Sequence, residues 1–475
     1  MSGSPARVPV VVIGGGLAGL TAALDLVDAG RPVVLLEARA RFGGATSSFI
    51  RAAGPDRPEL VVDTGQHVGL RCYAEWSGLL RRLGTDALLD VQQAMTIPVL
   101  LPHRTGPPGR AVLTRDPLPA PLHLARALLG YRALPPRSRL RAVRAALALR
   151  AVDPADPATD RTGFGTWLRA HGQDPATVAA VWDLFTVAAC NAGVEEVSLA
   201  VAATTLQRAL LSRPDAADIA IPAVPLAALH VDPAVAVLRG AGADVRRRTA
   251  ARAVRRQSDG LVVDTDDGPV RAAGVVCAVP AHAARALLPA EAGVPDGLTH
   301  APIVNVHVIY DRQVTDDRFV AAVGSDVQWV FDRTVPSGLR GTAGTAGRWS
   351  GCQYLAVSLS AAGRWVDVAA EALLKRFVAA LRELFPAAAG ARVVDAFVTR
   401  ERRATFVAAP GTGSLRPAAR TAVPGLVLAG AWTATGLPDT MEGAVVSGHA
   451  AARDLLVTGE PALVGAEPRE RIPSR

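Results

Sequence analysis

The spacing of apolar residues changes rhythm several times along the chain, and each change predicts an element. Residues 10–13 form an unbroken apolar run, as expected of a strand buried on both faces of a parallel sheet. Residues 17–29 carry apolar positions at helical spacing, and a second run at 32–36 ends on Glu37. A strand, helix and strand therefore open the chain. After Asp63 the rhythm becomes helical, over 73–83, 122–129, 137–150, 164–170, 175–190 and 198–211. Pro- and Gly-rich joints at 102–109 and 152–157 separate these pieces. Beyond a helix at 233–240, the runs 244–248, 260–265 and 274–279 return to strand patterns. Period-two alternation at 303–310 and 353–359 suits a separate sheet, followed by a helix at 366–385. A last run at 425–428, a helix at 442–456 and a polar tail after Gly459 close the chain.

The turn between the first strand and helix carries candidate chemistry. Gly14, Gly16 and Gly19 have the G-x-G-x-x-G spacing: the first makes the turn, the second lets backbone approach a pyrophosphate, and the third permits close packing. The helix N-terminus, at Leu17 and Ala18, supplies an anion site. Glu37, eighteen residues beyond Gly19, is placed to accept hydrogen bonds from an adenosine ribose, with Ala38 beside it. This much fits NAD or FAD. Arg41, Gly43 and Gly44 favour FAD, because a glycine pair just after the ribose acid lets backbone pass close to the cofactor. Near the other end, a strand runs into Gly430 and Ala431, and Met441, Glu442 and Ala444 open a helix. That arrangement aims N–H groups and a helix dipole at a flavin pyrimidine. Val254, in the strand region between, completes the expected cofactor contacts.

The expected fold class is α/β, a two-domain flavoprotein. Its Rossmann-type FAD-binding domain is discontinuous, comprising 1–72, 223–288 and 401–458. An α+β substrate domain is inserted as 73–222, mainly helical, and 289–400, sheet plus helix; 459–475 is the tail. At 475 residues and 50% hydrophobic, the chain exceeds one compact core and has room for a cofactor and a sizeable ligand. The net charge of +8 is almost all arginine, spread widely rather than gathered on one stripe, which argues against a nucleic-acid partner. Cys72, Cys190, Cys277 and Cys352 lie far apart, against a metal site or disulfide framework, and suit a reducing cytoplasm. The apolar run 8–24 contains three consecutive glycines and reads as strand and helix, not as a leader. No uncharged stretch is long enough to span a membrane without Gly or Pro, so any membrane contact is expected to be peripheral, at the inner face of the cell membrane.

Three further blocks stand out: Asp63-Thr64-Gly65-Gln66-His67-Val68 with Cys72-Tyr73, Asn191 with Ser198, and the run from Trp432 through Pro438 to Val445. Through Gly14 to Gly19, Glu37, Gly43-Gly44 and Glu442-Gly443-Ala444 the chain resembles the wider flavin amine oxidase and phytoene desaturase superfamily. Through the three further blocks the whole chain has a narrower resemblance, to the hydroxysqualene dehydroxylases. It implies isoprenoid chemistry: reductive loss of the hydroxyl of hydroxysqualene to give squalene, feeding hopanoid or related triterpenoid pathways. It also implies a polyprenoid substrate, an apolar tunnel, and squalene-pathway enzymes as partners. One position departs from the family, Ala431, where an acidic residue follows the glycine; the lost acceptor is worth about 1 kcal/mol.

An allylic hydroxyl leaves poorly without a proton, and the candidate acids are His67, Tyr73 and Asp439. Two of them also have a plainer reading: His67 as a satisfied structural histidine, Asp439 as a loop or helix-capping acid. Arginines at 126, 132, 137, 139, 141, 144 and 150 alternate with leucines at 122, 128, 129, 140 and 147. This suits docking on an anionic membrane, or a solvated arginine face over a leucine core. Competing functions are a carotenoid desaturase or isomerase, an amine oxidase, disfavoured by an aromatic content of 4%, and a non-catalytic FAD-binding partner.

Overall fold

The computed structural model describes residues 7–54, 57–102, 108–258, 260–339 and 349–458; the polar tail and most of the 102–109 joint lie outside them. Five parallel strands form the first sheet, in the order Asp244–Arg247, Val33–Glu37, Val10–Ile13, Gly274–Cys277 and Leu426–Leu428. Val10–Ile13 sits at its centre, with Val11 beside both Val34 and Val275. Its all-apolar sequence follows from that position, since helices and other layers cover both faces. Helix Leu17–Asp28 packs against the final helix, Met441–Thr458, so closely that a Cβ on Gly448 would lie 2.5 Å from the Ala18 carbonyl oxygen. Residues over 400 positions apart thereby share one helical layer. A small antiparallel sheet, Ala251–Gln257, Gly260–Thr265 and Gly268–Ala272, is appended to this unit.

The second large sheet has seven strands, in the order Val393–Phe406, His300–Tyr310, Gln353–Leu359, Trp329–Asp332, Phe319–Ala322, Thr96–Leu101 and Gly109–Thr114. Helix Ala370–Leu384 covers one face through Leu373, Phe377, Leu381 and Leu384, the i, i+4, i+8, i+11 stripe of an amphipathic helix. On the same sheet, Phe319, Trp329 and Phe331 stack together with ring centroids 6.3–6.4 Å apart.

The hairpin Thr96–Leu101 and Gly109–Thr114 differs from the sequence expectation, which placed only helices and joints here. Pro98 interrupts the apolar run at 96–101. In the sheet, Phe319–Ala322 pairs only at Val99 and Leu100, so Pro98 lies past the end of that ladder. A further unforeseen strand, Ile219–Pro222, pairs with both Gly69–Leu70 and Leu89–Val91.

The expected helices at 164–170, 175–190 and 198–211 are present, the last two with an internal π-type turn at Val178–Trp182 and Gln207–Leu211. Helices Ala125–Gly130 and Pro136–Arg150 each expose one side. Ala142, Ala145 and Leu149 point inward, whereas Leu122, Leu129, Leu140 and Leu147 are each at least half exposed. The leucine-core reading therefore holds for Leu128 alone of the five leucines, since only it packs against the core.

Among the described residues no helix is long and apolar enough to cross a membrane. Cys72, Cys190 and Cys277 are free thiols, and Cys190, Cys277 and Cys352 are buried.

Candidate active site

The dinucleotide end is built on bare backbone. Gly14 has φ +105°, and a Cβ there would lie 2.5 Å from the Ala278 carbonyl oxygen. Gly19 is tighter still, since its Cβ would fall 1.9 Å from the Gly14 oxygen; this is how the helix comes so near the strand. Gly16 differs. A Cβ there would find nothing nearer than Gly44 Cα at 3.9 Å, so the space before it is open. Gly43 N–H donates to the Gly15 carbonyl at 2.7 Å, holding the glycine pair across from the first turn. Helix Leu17–Asp28 has no side-chain cap and no acid in its first turn, which leaves its leading N–H groups available to an anion.

Glu37 is buried and accepts from Gly15 N–H at 2.9 Å and Arg39 N–H at 2.7 Å, so its carboxylate ties the glycine turn to the second strand. Ala38 and Arg41 are exposed, and the Arg41 guanidinium lies 5.6 Å from the Phe49 ring centroid. Val254 is buried in the appended sheet, opposite Val263; the start of that sheet reaches Glu37 through Thr249 N–H, 3.0 Å from the Glu37 carbonyl. At the far end, Gly430 has φ +134° and donates to Ser447 Oγ at 2.8 Å. The Ala431 carbonyl accepts from Arg416 Nη2 at 2.8 Å.

Open backbone at Gly16 and Gly44, free helix N–H groups and an acid at the end of the second strand fit the adenosine and pyrophosphate of FAD. Residues 14–19, 37 and 43–44 would hold that half, and residues 430–444 the ring end.

Beside the residue 437–442 loop lies a cavity of about 260 Å³. The segment Gly65 to Val68 borders it on one side and Leu437 to Glu442 on another; Met95, Ile97, Phe319, Trp329 and Phe331 supply apolar wall. All three candidate acids line it. Their environments separate them. Burial lowers the His67 pKa, and its Nδ1 lies 3.1 Å from the Gly65 carbonyl, a contact that requires the proton on Nδ1 and leaves Nε2 an acceptor. Burial raises the Tyr73 pKa, keeping it a neutral phenol. Burial also pushes Asp439 up to about 6, against the opposing pull of the Phe406 N–H and the Arg416 charge. Its Oδ2 accepts from that N–H at 3.1 Å.

Several motif residues turn out to hold the scaffold. Asp63 is buried, accepts from Ser48 Oγ and Leu226 N–H, and pairs with the buried Arg333 at 2.5 Å. Asn191, at φ +51°, donates to Thr405 Oγ1 at 2.9 Å and accepts from Ala361 N–H at 2.6 Å, while Ser198 Oγ caps the helix that follows it. The Glu442 carboxylate accepts from Trp76 N–H at 2.9 Å and Glu75 N–H at 3.3 Å, capping helix Ala74–Leu83 from another helix. Burial raises the pKa of this carboxyl, and these two N–H groups oppose the rise. Removing it in Glu442→Ala is expected to cost about 1–2 kcal/mol, the range of a lost N-cap, measurable as a reduced midpoint in urea at unchanged slope.

One residue at the site was not foreseen. Arg416 is buried, bonds the Ala431 carbonyl and Thr435 Oγ1, and lies 4.9 Å from the Phe406 ring centroid. Its Nε has no hydrogen-bond partner among the described residues. A single arginine in a Gly- and Pro-containing loop carries no spacing that could have revealed it.

This fold and this site define a flavoenzyme: the chain belongs to the flavin containing amine oxidoreductases, whose family model matches residues 17–456. It is an FAD-dependent oxidoreductase related to isoprenoid enzymes. Its relatives include proteins named hydroxysqualene dehydroxylase from Sinorhizobium fredii, 30% identical over 93% of this chain and 97% of the relative, and from Rhodopseudomonas palustris, 30% identical over 95% and 99%. A probable zeta-carotene desaturase from Synechococcus elongatus is 25% identical over 94% and 98%. Among solved structures, cyclohexylamine oxidase from Brevibacterium oxydans shares the fold, with a TM-score of 0.67, 18% identity, and 94% and 98% of the two chains covered.

Proposed function

We propose that this enzyme removes the hydroxyl of hydroxysqualene to give squalene. The observation that carries the reading is a cavity with apolar walls and an acid, Asp439, whose pKa of about 6 keeps part of it protonated near neutrality. The relatives' names point the same way. Reduced FAD, when bound, supplies the hydride equivalent. Asp439 gives its proton to the hydroxyl oxygen, the C–O bond breaks, and water leaves; one proton and one hydride convert R–OH into R–H and water. His67, fixed by the Gly65 carbonyl, offers Nε2 as an acceptor that orients the hydroxyl. Phe319, Trp329 and Phe331 exclude solvent from the carbon chain.

The desaturase relatives favour a second reading, removal of hydrogen from a carotenoid precursor. Anaerobic incubation of the purified, chemically reduced enzyme with hydroxysqualene decides between them. Squalene is expected at one equivalent per flavin. No squalene, together with desaturation of phytoene or zeta-carotene by the oxidised enzyme, would overturn the proposal.

A further inference from the structure

We infer that residues 117–152 form a docking surface for an anionic lipid bilayer. This stretch holds seven arginines and no Asp or Glu, a local charge of +7 in a chain whose net charge is +8. Elsewhere on the surface, arginines are commonly paired with carboxylates, as Arg110 is with Asp317 and Arg255 with Asp264. Within the stretch, Arg126, Arg132, Arg137, Arg144 and Arg150 make no ion pair among the described residues, and all five are exposed.

Charge alone would describe a solvated face. The leucines make the difference. Five of the eight exposed leucines among the described residues fall here: Leu118, Leu122, Leu129, Leu140 and Leu147, at 47–55% exposure. Scattered exposed leucines need no explanation, but these share faces with the cations. Along helix Pro136–Arg150, Arg137, Leu140, Arg141, Arg144 and Leu147 follow the i, i+3, i+4, i+7, i+10 spacing of one helical side, opposite the buried Ala142, Ala145 and Leu149. Leu122, Arg126 and Leu129 repeat the pattern before it, and the two helices pack together, so the surface is continuous. Leucines at acyl-chain depth with guanidinium groups at phosphate level are what an interfacial helix presents to anionic lipid. A nucleic-acid backbone would use the cations and leave the leucines in water.

The surface is also one layer from the cavity. Helix Pro136–Arg150 packs on Gln207–Leu211, whose Arg208, Ala209 and Leu210 line the cavity, and Ala125–Gly130 packs on Gly109–Thr114, beside the strand that contributes Ile97. Docking would hold that wall against the bilayer in which an apolar substrate or product dissolves. The inference stands whichever polyprenoid is converted.

Flotation of the purified holoenzyme with phosphatidylcholine vesicles, with and without phosphatidylglycerol, tests it. Binding is expected only to the anionic vesicles and to weaken with salt. Arg137→Gln, Arg141→Gln and Arg144→Gln combined should lower the partition coefficient about a hundredfold. Leu122→Ser, Leu129→Ser and Leu140→Ser combined should lower it about tenfold or more. These side chains are exposed, and an unchanged flavin spectrum would certify the fold of each variant. Binding that ignores lipid charge, binding unaffected by either set, or no binding would overturn the inference. So would lipid-free dimers that the serine variants dissociate, because a second copy would then cover the face.

Discussion

Gly16→Val is expected to give a folded protein with no bound flavin. Glycines 14 and 19 would each bring an added Cβ against backbone, so substitutions there damage the fold and the site together. At Gly16 an added Cβ would meet nothing nearer than Gly44 Cα at 3.9 Å and would project into the opening opposite Gly44. Its φ is −77°, which valine adopts without strain. The branched side chain would occupy the space the pyrophosphate needs at the helix N-terminus. FAD affinity should fall about a thousandfold or more, roughly 4 kcal/mol, with far-ultraviolet dichroism preserved. Flavin absorbance after gel filtration and FAD titration of the apoprotein measure it. A yellow variant with ordinary affinity would place the pyrophosphate elsewhere.

The second large effect concerns the acid. Asp439→Asn keeps an oxygen for the Phe406 N–H but has no proton to give. Single-turnover reoxidation of the reduced enzyme by hydroxysqualene should slow by about 10²–10⁴-fold, with flavin content unchanged. The pH dependence supplies the sign. The working form is protonated, and the folded-state pKa is raised to about 6, so the wild-type rate should decline as pH rises through that value. The Asn variant should lack that limb. Arg416→Gln removes a charge that holds the Asp439 pKa down, so the limb should move to higher pH. A full rate in Asp439→Asn, or an unchanged limb, would pass the role of acid to another group.

The parts of this molecule that were legible in the sequence are those where backbone chemistry dictates residue type. Gly14 at positive φ, Gly19 against the Gly14 carbonyl, and the all-apolar strand between two neighbours leave few residue choices, so their pattern is visible at once. Asp63 was visible as part of a motif, but its partners, Leu226 and Arg333, are 163 and 270 residues away, and only the fold reveals a brace instead of a reagent. Glu442 is similar: its position in the first turn of the last helix was readable, whereas its service to helix Ala74–Leu83 was not. Arg416 and the Thr96–Leu101 strand were missed for opposite reasons. The arginine belongs to no periodic pattern, and the strand has a period interrupted by Pro98, harmless only because its neighbour stops short.

The seven-stranded sheet has a consequence for how the chain is made. Its strands come from residues 96–114 and from 300–406, and the parallel pairing of Val99 with Ala321 spans more than two hundred residues. During synthesis the early hairpin must therefore wait, one edge open, until the later strands emerge. The nucleotide sheet has the same dependence, since Leu426–Leu428 pairs beside Gly274–Cys277 and is made about 150 residues after it. Folding of both sheets should thus complete together and late. A nascent chain stopped before about residue 400 would expose two unfinished sheet edges, a natural target for holding chaperones and a hazard for self-association.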